Sequence, residues 1–136
     1  MLLLALLLSG CASAKTATYT LSAVPPANPT HGHKLKVPIE VGEVSIPALI
    51  DRNEIVLRAP SDRLAVAGTS VWGAPIGQLI RTALSADLTE RLAPGSVLPP
   101  GAPAPAGELR ILTVVVRKFG GDTTGRVVLD AAWVTA

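Results

Sequence analysis

One cysteine is the residue in this 136-residue sequence whose type and position together point to a definite chemistry. Because Cys11 is the only cysteine, the chain has no internal disulfide, no zinc site built from several cysteines and no CxxC redox pair. Cys11 follows an almost entirely apolar run, MLLLALLLSG, which is too short to span a bilayer as a helix. A short apolar run that ends in small residues is typical of a secretory signal. We therefore expect residues 1–10 to be a signal peptide.

The segment Leu8-Ser9-Gly10-Cys11 resembles the lipobox of bacterial lipoproteins. In that motif a lipid is attached to the cysteine thiol, and a peptidase cleaves the preceding bond, here between Gly10 and Cys11. The resemblance implies acyl chains such as palmitate on Cys11, followed by a tether over residues 11–18. Ala12, where inner-membrane lipoproteins usually carry Asp, favours the outer membrane. The alternative is a buried cysteine at the end of an apolar helix, with an ordinary signal peptide around it.

The other reactive side chains form no recognisable catalytic or metal-binding pattern. His31 and His33 lie in a segment rich in Pro and Gly, without a nearby cysteine or carboxylate, so a loop is favoured over a zinc site. No serine lies in a GxSxG sequence, and no GxxxxGK[ST] phosphate-binding loop is present. The acidic residues show no spacing that indicates a catalytic pair. We expect no catalytic residue, no metal and no cofactor beyond the covalent lipid.

Three residues are candidates for contact with a partner. Asp51 and Arg52 either form a solvated turn with a weak ion pair or bind a neighbouring subunit or partner protein. Trp72 is either an ordinary packing residue or an interface anchor, a role in which tryptophan is enriched. Trp133 lies in a strongly apolar strand, so we expect it to pack in the core instead.

Composition narrows the class of protein. The chain has a net charge of +2 without a cluster of basic residues interleaved with aromatic ones, which argues against a nucleic-acid-binding surface. Aromatic residues make up 3% of the chain, so its core must be built from Val, Ile and Leu. The length fits one domain, which we place at residues 19–136.

The elements that position these residues are one helix and about six strands. Apolar residues recur at spacings of three and four from Pro75 to Leu92 and predict an amphipathic helix. The segment 108–119 is apolar on both faces, which is typical of an interior strand, and the turn 119–125 predicts a hairpin with the next strand. We predict an α+β fold, a mostly antiparallel sheet with one or more packed helices. The predicted strands are 19–21, 35–46, 55–58, 64–67, 108–119 and 126–133.

Beyond the lipobox, four ordered segments resemble the ABC-type transport auxiliary lipoprotein family, the PqiC-like accessory components of MCE transport systems. The most specific pieces are the pattern Ile-Pro-x-x-x-Asp-Arg-x-x-Ile-Val at 46–56 and the tryptophan Trp72 at the start of the helix segment. Asn53 stands where the family often has Pro. The four segments are 19–21, 41–58, 71–88 and 114–133.

This resemblance implies a non-enzymatic outer-membrane lipoprotein that works with a periplasmic MCE protein and an inner-membrane ABC transporter. Such a system moves lipids or other hydrophobic molecules between the two membranes, and the accessory protein is expected to form a ring-like homo-oligomer. Family members normally continue past the Trp133 strand with a further helix and strand, so we expect the domain at 19–136 to be incomplete at its C-terminus. The alternative is a structural or assembly lipoprotein of the cell envelope. An enzyme is a third and weaker hypothesis.

Overall fold

A computed structural model describes residues 14–27, 32–61 and 63–136 of the chain. In these ranges the backbone forms seven strands and one helix, so the predicted α+β class is confirmed. The elements in chain order are β1 (Ala17–Tyr19), β2 (Ile39–Ser45), β3 (Glu54–Arg58), β4 (Leu64–Trp72), α1 (Ile76–Arg91), β5 (Val97–Leu98), β6 (Arg110–Asp122) and β7 (Val127–Thr135).

The long strand β6 is the centre of one sheet. It pairs with β7 along one edge, and along the other edge it pairs first with β2 and then with β3. Strands β5 and β4–β1 extend the sheet beyond β2 and β3 respectively. The interior position predicted for this strand is therefore confirmed.

The sheet is mixed, whereas the sequence predicted a mostly antiparallel one. The pairs β3–β4 and β6–β7 are antiparallel, and the pairs β1–β4, β2–β5, β2–β6 and β3–β6 are parallel. The antiparallel pairs are joined by short connections. The parallel pairs are joined by long ones, several of which include α1, and long connections allow a strand to return in the same direction.

Helix α1 supplies the cover for one face of the sheet. It follows Pro75, and its bounds agree with the predicted helix to within one residue at each end. The helix approaches β2 closely, since a Cβ on Gly77 would lie 3.1 Å from the Val44 carbonyl oxygen. The apolar side chains Ile80, Leu84 and Leu88 pack against a buried cluster formed by Val41, Val44, Leu112, Val114 and Val116.

A polar contact also ties α1 to β2. Arg81 donates one hydrogen bond from Nε to the Val41 carbonyl oxygen at 2.8 Å and a second from Nη2 to a Glu40 carboxylate oxygen at 3.1 Å. The β2–β6 register shifts between Val41 and Val44. The arginine therefore binds a backbone acceptor next to an irregularity in the strand ladder.

Only one face of β6 is buried. Leu112 and Val114 point into the cluster under α1, whereas Ile111 and Val115 on the opposite face are exposed. The sequence predicted the apolar character of both faces. In the described part of the chain, the second face is open to solvent.

Several strands differ from the prediction: β2 begins at Ile39, four residues after the predicted start and just after Pro38, and β5 was not predicted. Strand β4 continues five residues beyond Ala67, past Gly68, which has a φ of 58°. A glycine in this conformation accommodates an irregularity in the ladder without ending the strand. Strand β1 begins at Ala17, within the segment predicted as a tether, because the partner strand β4 supplies its hydrogen bonds.

Candidate functional site

The predicted lipid-attachment residue, Cys11, and the preceding Gly10 lie outside the described residues. The structure does show how the chain approaches the domain. Ala17 in β1 pairs with Ser70 in the parallel strand β4, and the Thr69 hydroxyl donates a hydrogen bond to the Lys15 carbonyl oxygen at 2.9 Å. Going backward from Ala17, the chain therefore runs beside β4 toward the start of that strand.

After β1, the chain is held against α1 by a short segment around Val24. The Val24 N–H donates to an Asp87 carboxylate oxygen at 2.8 Å, and its carbonyl oxygen accepts a hydrogen bond from Arg91 Nη2 at 3.0 Å. Both backbone groups of one residue are thus held by side chains of the helix. These contacts hold the N-terminal segment against the C-terminal half of α1.

The candidate residues Asp51 and Arg52 lie in the tight connection between β2 and β3. The connection contains a hydrogen bond from the Ile50 N–H to the Pro47 carbonyl oxygen, as expected for a turn. Both candidate side chains are exposed, and Arg52 Nε lies 3.0 Å from a Glu54 carboxylate oxygen. The hydrogen bond from Arg52 is the main cause of a lowered pKa at Glu54. Such an exposed pair is well hydrated and contributes little to stability.

Trp72 lies near this turn but has a packing role. It is half-buried at the end of β4, with its ring centroid 6.3 Å from that of Phe119. The Trp72 backbone N–H donates a hydrogen bond of 2.7 Å to the carbonyl oxygen of Asn53, the residue after Arg52. The fold therefore brings the three candidate contact residues into one region, although they are about 20 positions apart in the sequence.

The structure also forms a pocket that the sequence did not predict. It has a volume of about 210 Å³ and lies where the β6–β7 hairpin meets β3 and the start of β4. Its lining combines apolar with cationic side chains, and these come from segments far apart in the sequence. The apolar residues are Leu49, Ile50, Val56, Leu64, Phe119 and Val128; the cationic ones are Arg58, Lys118 and Arg126; and Asp122 adds one carboxylate.

The hairpin turn beside this pocket is organised by Asp122. One of its carboxylate oxygens accepts hydrogen bonds from the Thr124 hydroxyl at 2.6 Å and the Arg126 N–H at 3.0 Å, and these bonds lower the pKa of Asp122. Gly125 has a φ of 87°, which suits glycine at this turn position. Of the cations around the pocket, Arg126 approaches Asp122 at 3.7 Å, whereas Arg58 and Lys118 form no ion pair with any described residue.

The expectation that Trp133 packs in the core is wrong. Trp133 is 73% exposed, although it lies opposite the buried Val114 in the β6–β7 ladder. Helix α1 packs on β2 and β5, which lie across β6 from β7. In the described ranges, nothing covers the tryptophan.

The described residues contain no cluster of three or more His, Cys, Asp or Glu side chains arranged to hold a metal ion. His33 is exposed, and His31 lies outside the described residues. No helix among residues 14–27, 32–61 and 63–136 has both the length and the apolar character needed to cross a membrane.

Known structures share this fold. A crystal structure of an uncharacterized protein superimposes with a TM-score of 0.59 at 17% identity, covering 90% of this chain and 80% of that one. A Xanthomonas campestris protein of the DUF330 family gives a TM-score of 0.54 at 14% identity, covering 89% of this chain and 77% of its own. At these identities the likeness establishes the fold alone.

Sequence relatives identify the family. The chain is 28% identical over 133 residues to the intermembrane transport lipoprotein PqiC of Escherichia coli strain K12, and the match covers 96% of this chain and 69% of PqiC. PqiC of Shigella flexneri matches to the same extent. Residues 19–135 match the family described as the ABC-type transport auxiliary lipoprotein component. The resemblance predicted from the sequence is thus confirmed, and the chain belongs to the ABC-type transport auxiliary lipoprotein family.

Proposed function

We propose that this protein is a lipid-anchored, non-enzymatic accessory component of an ABC/MCE system that moves lipids or other hydrophobic molecules between the inner and outer membranes. The observation that carries the proposal is the family match, which extends over residues 19–135. The relative in Escherichia coli is named as an intermembrane transport lipoprotein, which supports the same role. The fold positions no recognisable catalytic group among the described residues, so the proposed contribution is binding and assembly.

The attachment site in this proposal is Cys11. Cleavage between Gly10 and Cys11 would free the cysteine as the new N-terminus, and acyl chains on it would insert into the periplasmic face of the outer membrane. Each buried methylene contributes about 0.8 kcal/mol, so more than one chain gives a stable anchor. The protein would then need no transmembrane helix of its own.

The proposed partners are a periplasmic MCE protein, through it an inner-membrane ABC transporter, and further copies of this chain. Asp51 and Arg52 are proposed to contact the MCE protein because both are exposed in one turn. Trp72 would support that contact indirectly, since its backbone N–H donates a hydrogen bond to the carbonyl of Asn53, the residue after Arg52.

The test is crosslinking in cells followed by detergent extraction and mass spectrometry of the captured proteins. We expect recovery of a periplasmic MCE protein, and we expect a doubly changed protein, Asp51→Lys with Arg52→Glu, to recover several-fold less. Arg110→Glu is the matched control, since Arg110 is an exposed cation at the start of β6, outside the turn that contains Asp51 and Arg52. Recovery of peptidoglycan-associated or barrel-assembly proteins instead would refute the proposal in favour of a structural lipoprotein.

A further inference from the structure

We infer that one end of the sheet lies against the membrane and that its cationic side chains bind the headgroups of anionic lipids. This end, called here the hairpin end, consists of Arg58, Arg63, Leu64, Lys118 and the turn Asp122–Arg126. The inference rests on the proposed lipid anchor at Cys11. It adds to that proposal an orientation of the domain and a lipid-binding surface.

The register of the strands brings these residues together. Arg58 at the end of β3 pairs with Asp122 at the end of β6 and with Leu64 at the start of β4. The β6–β7 turn and the β3–β4 connection therefore project from the same end of the sheet. Arg110, the first residue of β6, marks the opposite end.

The path of the N-terminal segment leads toward the hairpin end. Lys15 lies beside Thr69 in β4, and β1 runs parallel to β4, so the chain traced backward from Tyr19 to Lys15 points toward Leu64. Because five residue steps of β4 from Val66 to Val71 span only two of β3, Thr69 is about three ladder positions from Leu64, a distance of about 10 Å. The four residues from Lys15 back to Cys11 span at most about 14 Å when extended. These residues are therefore long enough to bring an anchor at Cys11 to the level of the hairpin end.

The segment from Cys11 to Lys15 is too short to reach the other end of the sheet. Ala65 and Gly121 both lie opposite Leu57, and the register shift in β4 places Thr69 between the levels of Val56 and Glu54, so Thr69 is level with β6 near Phe119. From there Arg110 is about nine strand positions away, or about 30 Å. To place the opposite end on the bilayer, the chain before Lys15 would have to reverse direction and cover more than its extended length.

The surface at the hairpin end has the chemistry of a membrane interface. It combines the cations Arg58, Arg63, Lys118 and Arg126 with the exposed apolar side chains of Leu64, Val127 and Val128. Three carboxylates accompany them: Asp122, which is engaged by the turn, Asp130, which lies opposite Lys118 and pairs with Arg117, and Asp62, which lies outside the described residues. Mixed cationic and apolar surfaces bind anionic bilayers, because the cations meet lipid phosphates while the apolar groups enter the acyl boundary.

The pocket supports a lipid, and not a free inorganic anion, as the ligand of the hairpin end. Arg58 and Lys118 line it without an ion-pair partner among the described residues, and Val56, Leu64 and Val128 form its apolar part. A headgroup phosphate between the cations would leave the first methylenes of its lipid beside these apolar side chains. A free inorganic anion would use only the cationic half of the pocket.

The orientation can be measured with the lipidated protein reconstituted into vesicles of phosphatidylethanolamine and phosphatidylglycerol. A fluorescent label is attached either at Thr123→Cys in the hairpin turn or at Glu108→Cys at the opposite end; a lipidated Cys11 leaves the introduced thiol as the only free one. A quencher on the lipid headgroups should reduce the fluorescence at position 123 several-fold more than at position 108. Equal quenching, or stronger quenching at position 108, would overturn the inference.

The role of the cations is tested by measuring quenching at positions 123 and 108 again, in variants that change the charge of the hairpin end. Each cation near an anionic surface contributes about 1 kcal/mol, or about fivefold in binding. Arg58→Glu with Lys118→Glu should therefore lower the equilibrium constant for the docked orientation by about 25-fold or more. The control Arg110→Glu should leave it within twofold, and vesicles of neutral lipid should weaken docking of the unchanged protein. Unchanged quenching in the double variant would contradict headgroup binding.

Failure of this inference is distinguishable from failure of the proposed function. Incorporation of labelled palmitate at Cys11 reports the anchor independently of how the domain is oriented. A protein without lipid on Cys11 would overturn both proposals. A lipidated protein with the opposite quenching pattern would overturn the orientation alone.

Discussion

Replacing Arg81 tests whether the contact between α1 and β2 stabilises the fold. Its guanidinium donates to the Val41 carbonyl at 2.8 Å and to Glu40 at 3.1 Å. The side chains of Arg81 and Glu40 are 35% and 20% exposed, so the pair is partly shielded from water. Arg81→Met keeps most of the aliphatic stem and removes both hydrogen bonds. The change therefore isolates the polar contact from the packing of the helix.

The expected loss follows from the two acceptors that remain. A hydrogen bond to a charged group contributes about 1.5–3 kcal/mol, and a buried acceptor left without a donor costs about 1–3 kcal/mol. The carbonyl of Val41 lies beneath the helix on a fully buried residue, whereas the Glu40 carboxylate retains some access to water. We expect Arg81→Met to lower the free energy of unfolding by about 2–3 kcal/mol.

Urea unfolding of the detergent-solubilised protein, followed by circular dichroism, measures this difference. The matched control is Arg110→Met, an exposed arginine whose side chain has no hydrogen-bond partner among the described residues, and it should change the free energy of unfolding by less than about 0.5 kcal/mol. A loss below about 0.5 kcal/mol for Arg81→Met would refute the reasoning. A loss equal in both variants would show a general effect of removing a cation.

Three further predictions concern the core, the pH dependence and the anchor. Leu112→Ala should cost about 2–5 kcal/mol in urea unfolding, whereas Trp133→Ser should cost at most about 1.5 kcal/mol because so little of its surface is buried; a larger loss at Trp133 would contradict its exposure. Arg117→Gln should raise the lowered pKa of Asp130 in a carboxyl NMR titration, since the hydrogen bond from Arg117 is the main cause of that lowering. A lowered pKa means that this carboxylate stabilises the fold above its unfolded pKa of about 3.9 and that the stabilisation is lost as the pH falls through the folded pKa; an unchanged titration in Arg117→Gln would contradict this account. Cys11→Ala should abolish incorporation of labelled palmitate and leave the precursor uncleaved, and persistent label would disprove the attachment site.

The parts of the fold that the sequence predicted well are those in which local pattern decides the structure. The spacing of Ile80, Leu84 and Leu88 gives α1 one apolar face, and Pro75 marks its start. The turn at Asp122–Arg126 contains its own hydrogen-bond acceptor and a glycine with positive φ, so the hairpin is specified within a few residues. Whether two strands pair in parallel or antiparallel has no such local signal, because the same alternation of apolar and polar residues occurs in both kinds of pair.

The fate of Trp133 shows why burial was harder to predict. Its strand is as apolar as β6, yet β7 lies at the edge of the sheet, across β6 from the strands on which α1 packs. Only the strand order distinguishes the two positions. The pocket was missed for a related reason, because Arg58 and Lys118 are 60 residues apart and meet only through the β3–β6 register.

The short strand β1 has a mechanical consequence. Its three residues pair in parallel with Ser70, Val71 and Trp72, and Lys15, just before the strand, lies farther along β4 beside Thr69. A tension applied from the N-terminal side therefore loads the hydrogen bonds of β1 in shear, all at once, instead of peeling them apart one after another. After β1 in the chain, the hydrogen bonds of Val24 with Asp87 and Arg91 attach the segment to α1 at a second point. An anchored domain built in this way would resist being pulled open by its own attachment.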